Sequence, residues 1–543
     1  MAPNVNQTKK TKKLAELLQA SKSGEMKQSE QSKQAQSNTD EPLISDELTS
    51  NLDKISTELG NSSDLAIRRF TVATEIPNQG AVIYIDGLID EDAIRDFILE
   101  PLMGLEVNEV ETKDAPKHPI LHTEIETLLP FVDMEEITDW KSLYLSLLSG
   151  KTILLVEGSQ IGFALSTQNG NWRGIQEPQS EISVKGAKDS FIESLSVNLT
   201  LIRRRLKTQN LWLETFEVGE LTQTNVGIMY VKGIVNDKIV QEVKERINRI
   251  DTDEVVTIAQ FQEFIEDETF TPFPTVFVTE RPDVAVGHLL EGKVILLVDG
   301  NPVSLIVPVT LPQFFHAAED YYQRYDISSL IRILRYISFL IALLGPSIYV
   351  AAITFHQDLI PTTLLVSLAA QREGVPFPAL IEAVLMEFTF EVLREAGIRM
   401  PRAIGQAVSI VGALVIGQAA VQAGIVSASM VIVVAATGIA SFTTPSYDLA
   451  VSARMLRFIM MIFAGTFGFY GITLALLMLV AHLCSLRSFG IPYLTPFAPF
   501  NLSDQKDAIF RLPIWANQTR PRLYSQKNKK RMKQGLQPSP KKT

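Results

Sequence analysis

Cysteine is nearly missing: Cys484 stands alone among 543 residues. No internal disulfide can form, which excludes a secreted disulfide scaffold and fits a reducing compartment. Histidine is scarce too, with six in the chain. His118 and His122 lie four apart, but Pro119 disfavours a helix through them and no Glu or Cys completes a metal set. Charge is absent in blocks. Residues 337–354, 404–442 and 458–484 contain no Asp, Glu, Lys or Arg, and residues from Arg511 onward contain ten Lys/Arg and no Asp/Glu. The net charge is −11, so everything before that +10 tail sums to −21. This pattern excludes a wholly soluble enzyme and a nucleic-acid binder acting through overall positive charge. It indicates a membrane protein with a large acidic domain in front, and its length requires several domains.

Residues 1–60 are rich in Lys, Gln, Ser and Asn and poor in aromatics, so they are expected to be disordered. Lys9, Lys10, Lys12 and Lys13 begin like a signal peptide, but Leu14–Leu18 breaks off before an apolar core forms. The N-terminal domain is therefore expected in the cytoplasm.

Self-comparison yields a tandem repeat. Val82-Ile83-Tyr84-Ile85-Asp86-Gly87 reappears as Ile228-Met229-Tyr230-Val231-Lys232-Gly233. Gly150-Lys151-Thr152-Ile153-Leu154-Leu155-Val156-Glu157-Gly158 reappears as Gly292-Lys293-Val294-Ile295-Leu296-Leu297-Val298-Asp299-Gly300. Each copy predicts an opening strand, helices and a late hairpin, with Glu157-Gly158 and Asp299-Gly300 as tight turns. The expected fold is a cytoplasmic α/β region of two related subdomains followed by an α-helical multi-pass membrane domain. The segments are 1–60 disordered, 61–219 the first subdomain with a connecting helix, and 220–325 the second. A helical membrane domain of four to six segments follows at 330–490, then a basic cytoplasmic tail at 491–543.

Catalytic patterns are lacking. Gly150-Lys151-Thr152 could end a phosphate loop, but Leu145 stands where the first glycine is needed and the triplet precedes a strand. There is no G-x-S-x-G and no G-x-G-x-x-G after a strand. The expectation is a non-enzyme without cofactor or metal. Between the repeats, Phe191, Ile192, Leu195, Leu199, Ile202 and Leu206 mark a helix face ending in Arg203, Arg204 and Arg205. These arginines complement the helix dipole or contact a partner or anionic lipid.

In the membrane part, positive-inside logic places both termini in the cytoplasm. Three hairpins (337–371, 403–442, 458–485) with turns near His356, Gly424 and Gly468–Gly471 put Arg372, Arg394, Arg399, Arg402, Arg454 and Arg457 all inside. Gln406, Ser409, Gly412, Gln418 and Gln422 are candidates for a packing seam or pore wall. Residues 377–395 are amphipathic, with Ile381, Val384, Leu385, Phe388 and Val392 opposite Glu387, Glu391 and Arg394. In a symmetric oligomer Glu387 and Glu391 become a candidate charge ring. The bland alternative pairs Glu391 with Arg394 at i+3.

Several blocks together resemble a known family. They are Thr279-Glu280-Arg281-Pro282-Asp283, Val307-Pro308-Val309, Glu319-Asp320-Tyr321-Tyr322, Phe191–Arg205, Arg372-Glu373-Gly374-Val375-Pro376-Phe377-Pro378 and Glu391–Gly397. The chain over about 65–500 is similar to the A subunit of GerA-type spore germinant receptors. That resemblance implies an inner spore membrane protein working with a transporter-like B subunit and a lipoprotein C subunit. It further implies assembly into a homo-oligomer that forms a nutrient-gated ion channel. A secondary transporter and a non-conducting membrane scaffold remain the alternatives.

Overall fold

The structure, a computed structural model, describes residues 43–72, 78–103, 129, 133–168, 177–400, 415–502, 504–525, 527–533 and 535–538. It divides into two compact units, one holding most of the first α/β copy (up to 53, 67–84 and 91–167) and one holding the rest.

The first sheet contains β1 (Leu65–Val72), β2 (Asn78–Ile85), β3 (Met134–Ile137), β4 (Thr152–Val156) and β5 (Gly162–Leu165), in the order β1-β2-β4-β5-β3. The second contains β6 (Leu211–Val218), β7 (Thr224–Val231), β8 (Phe277–Thr279), β9 (Val294–Val298) and β10 (Ser304–Val307), in the order β6-β7-β9-β10-β8. The two orders are the same, and so is the register. Ile83 faces Ile153 as Met229 faces Ile295; Leu154 faces Phe163 as Leu296 faces Leu305; Glu136 faces Phe163 as Val278 faces Leu305. A one-residue slip would turn every side chain to the other face, so matched register is a demanding test of duplication. β4 and β9 are buried at every position, as their unbroken apolar runs predict. Gly158 and Gly300 take φ of +80° and +79° with open space around them, so the turn's backbone, and not packing, requires glycine.

Two expected boundaries move. The second copy begins at Leu211, ahead of the expected 220, because β6 belongs to its sheet. Residues 43–60 are ordered: Leu48–Glu58 is helical, and Ile44, Leu48, Leu52, Ile55 and Leu59 are buried. Their three- and four-residue spacing is a helical stripe diluted by polar neighbours. Residues 1–42 lie outside the described residues.

The C-terminal part is helical. Helices span Tyr325–Thr354, Thr362–Arg372, Ala379–Arg399, residues 415–422, Ala428–Ser441 and Tyr447–Ser485. Tyr325–Thr354 and Tyr447–Ser485 are long and apolar enough to cross a membrane, each with a mean hydropathy of 2.0 over its best window. The last helix is folded in two. Gly468 has φ +63° and ψ −143°, a conformation open in practice to glycine alone. The Ser452 hydroxyl donates to the Pro272 carbonyl, and His482 Nε2 lies 2.9 Å from Thr271 Oγ1. A continuous helix would separate residues 452 and 482 by about 45 Å. The chain therefore reverses at Gly468, as it does at Gly424, which has φ +65°. The His356 ring lies 4.9 Å from the Phe469 ring at a tilt of 57°, so the turn after Tyr325–Thr354 meets the Gly468 turn.

The first expected hairpin is corrected. Its returning arm is Ala379–Arg399, and 359–371 does not return. Arg372 pairs with Glu382 at 3.1 Å, and Glu382 accepts the Ser427 amide at 3.0 Å beside the Gly424 turn. Arg372 thus sits at the Gly424 end of the bundle, whereas Arg394 bonds Ser441 at the opposite end. The faces of Ala379–Arg399 divide as the pattern indicates, and the charged one is covered by the chain's own helices. Ile381, Leu385, Phe388 and Val392 are exposed, while Glu382 and Glu387 are fully buried. Apolar outside and charged inside is what a hydrocarbon surround favours.

The basic tail is not a free tail through its described part. Arg511 donates to the Gln323 carbonyl, Arg520 to that of Leu290, and Lys527 pairs with Asp237. Tyr524 and Ser525 are buried.

Candidate functional site

Towards its Ser441 end the helical part holds five charges in an internal cluster built from two helices. Arg457 is 1% exposed and pairs with Glu387, which is 0% exposed. Arg457 Nε also donates to the Ala342 carbonyl at 2.6 Å. That carbonyl is free because Pro346, four residues later in the same helix, has no N–H to offer it. Glu391 accepts Arg394 at 3.1 Å and Arg454 at 3.1 Å, and Arg394 Nη2 reaches Ser441 Oγ at 3.1 Å. The Arg394 guanidinium lies over the Phe390 and Phe442 rings at 4.9 and 5.1 Å.

Of the residues singled out in sequence, Glu387 and Glu391 are therefore engaged by arginines of their own chain, Glu391 by the i+3 pairing and by Arg454 as well. Gln418 and Gln422 are exposed. Gln406, Ser409 and Gly412 fall outside the described residues. For the Arg203–Arg205 run, a partner or lipid contact is corrected at its first member. Arg203 is buried, with Nε 2.7 Å and Nη2 2.7 Å from the two Asp64 oxygens, and it also bonds Leu211 O and Ser62 Oγ. Arg205 pairs with Asp189, and Arg204 is exposed.

Sequence reasoning missed a second network. Asp320 accepts Arg332 at 3.1 Å and Arg335 at 2.8 Å, and Arg332 reaches Asp507 of the C-terminal segment at 2.9 Å. Tyr321 donates to Asp507 at 2.8 Å. The signal was present in part: Glu-Asp-Tyr-Tyr sits shortly before an arginine-bearing helix start. Its partner Asp507 is far away in sequence. The network ties the second α/β copy, the first long helix and the C-terminal segment together.

Beside it lies a cavity of about 880 Å³, lined among others by Glu181, Arg281, His288, Tyr322, Tyr447 and Tyr524. Burial raises the Glu181 carboxyl to about 7 and lowers the His288 imidazole to about 4. Lys293, next to this region, is fully buried with its ammonium unpaired, 5.2 Å from the Tyr524 ring, and burial lowers it to about 7. No group of three or more His, Cys, Asp or Glu able to hold a metal occurs among the described residues.

Residues 53–523 match the family described as the Bacillus/Clostridium GerA spore germination protein. The chain is 47% identical over 498 residues to spore germination protein KA of Bacillus subtilis (strain 168), covering 92% of this chain and 90% of that one. It is 42% identical over 495 residues to the B. subtilis membrane protein YfkQ, covering 91% and 94%. Among solved structures it is similar to the N-terminal domain of the A subunit of the Bacillus megaterium spore germinant receptor GerK3. That match has 35% identity and a TM-score of 0.38, covering 49% of this chain and 97% of that chain.

Proposed function

Because the chain belongs to the GerA spore germination family, we propose that it is the multi-pass membrane subunit of a nutrient-sensing germination receptor. In this reading it sits in the inner spore membrane with both termini cytoplasmic. It works with a transporter-like B subunit and a lipoprotein C subunit, and its copies assemble around a nutrient-gated ion path. The observation that carries the reading is the Asp320–Arg332–Asp507 network. It joins the second α/β copy to the first long helix through charge-assisted bonds, so displacing one displaces the other. Candidate path-lining groups are the exposed Gln418 and Gln422. Glu387 and Glu391 support the bundle from within each protomer.

One observation favours a second reading. The Glu387–Arg457 pair lies inside the bundle, where transporters keep functional charges. Flux assays separate the two. The purified chain in liposomes, with and without its partner subunits, is expected to pass monovalent cations down their gradient once assembled. Substrate-coupled uptake without such flux would favour the transporter, and silence in every combination would favour a scaffold.

A further inference from the structure

The internal charge cluster does not balance. It contains three arginines, Arg394, Arg454 and Arg457, and two glutamates, Glu387 and Glu391. Among the described residues no other Asp or Glu forms an ion pair with any of the three. Among the described residues, the other contacts of the three arginines are neutral: the Ala342 carbonyl, the Ser441 hydroxyl and the Phe390, Phe442 and Tyr447 rings. Arginine cannot shed its proton to restore neutrality. One positive charge is left over, and protonating either glutamate would only add another.

Hydrogen bonding is unbalanced in the same sense. Arg394 Nε, Arg454 Nε and Arg457 Nη2 are buried donors without a partner, against a single unpartnered acceptor, Glu387 Oε1. Unpaired buried charge and unmet buried donors are both costly, and a single anion would relieve both. The cluster has a mouth for one. Side-chain exposure rises from 0–1% at Glu387 and Arg457 to 10% at Arg394, 13% at Arg454 and 26% at Glu391. That mouth lies at the Ser441 end of the bundle, where Ala428–Ser441 and Ala379–Arg399 finish and Tyr447–Ser485 begins.

We propose that Arg394 and Arg454, backed by Arg457, bind a phosphate-bearing anion at this end of the bundle, supplied by an anionic phospholipid headgroup or by free phosphate. Guanidinium forks suit phosphate oxygens, and basic pockets between membrane helices are suited to headgroups. The proposal rests on the membrane reading above, so membrane residence is checked first. If alkaline carbonate strips the chain from the membrane, that reading fails before the site is tested.

With residence established, the full chain is purified in mild detergent and examined by native mass spectrometry after titration with phosphatidylglycerol, phosphatidylcholine or inorganic phosphate. Retention of phosphatidylglycerol over phosphatidylcholine assigns the site to a headgroup, and binding of inorganic phosphate alone assigns it to the free anion. In either case Arg394→Gln with Arg454→Gln should weaken binding by roughly fivefold per arginine removed. Arg399→Gln, on the same helix but 79% exposed and paired with Glu395, should bind like the parent. If the double variant does not fold, melting of the parent decides: phosphatidylglycerol or phosphate should raise its transition and phosphatidylcholine or chloride should not. A parent that retains and responds to neither phosphate source overturns the proposal, as does a folded double variant that binds as tightly as the parent.

Discussion

Arg203→Ala should unfold the region around β6 more readily than any surface substitution, with a loss of about 3–5 kcal/mol. Arg203 is 2% exposed and Asp64, its partner, 7%. Truncating the arginine leaves the Asp64 carboxylate buried without a counter-charge and removes a donor from the Leu211 carbonyl and the Ser62 hydroxyl. Lysine cannot replace the two-pronged contact, so Arg203→Lys should recover only part of the loss. Hydrogen exchange on the full chain reads the effect locally, at the amides of residues 62–65 and 211–213. Protection within about tenfold of the parent would show that the pair contributes little.

Lys293→Met should stabilise the protein, and the gain should depend on pH. Burial disfavours the Lys293 ammonium and lowers it from 10.5 to about 7, while Glu291 nearby opposes that shift. Between pH 7 and 10.5 the unfolded chain therefore binds more protons than the folded one, so this residue makes stability rise with pH across that window. Below pH 7 its penalty is fully present. Methionine removes the charge and keeps the length, so the variant should gain on the order of 2–4 kcal/mol at pH 6. The gain should shrink towards zero by about pH 10. Thermal unfolding of parent and variant at pH 6 and 9.5 measures the difference. An equal gain at both values would place the effect in packing and not in protonation.

How much of this was legible in the sequence varies with the kind of interaction. The duplication was, because β-branched runs and acidic-Gly turns recur at nearly constant offsets, and the paired register follows from them. The turns at Gly424 and Gly468 were legible because uncharged runs too long for one span must reverse, and glycine marks where. Arg203 was not. Its run suits a helix end, and nothing local announces Asp64, 139 residues earlier. Ala379–Arg399 was legible only in part, because an amphipathic pattern states which residues share a face, but not which face meets the core. In water the charges go outward; among apolar helices they go inward, and only the Arg457 contact decides. Ile44 to Leu59 was overlooked because five apolar residues in a polar stretch do not shift its composition.

The central claim is that the helical part crosses the membrane repeatedly, with its turns on one side and the chain ends on the other. Single-cysteine labelling tests it most directly, starting from Cys484→Ser because that exposed residue is the chain's own thiol. Cysteines would be placed at Gln357, Ala423 and Tyr470 near the three turns and at Arg399 and Phe442 near the opposite end; all five positions are exposed. In right-side-out vesicles a membrane-impermeant maleimide should label Gln357, Ala423 and Tyr470 variants directly. Arg399 and Phe442 variants, and native Cys484 in the parent, should react only after permeabilisation. Labelling of the two groups from the same side would contradict the account.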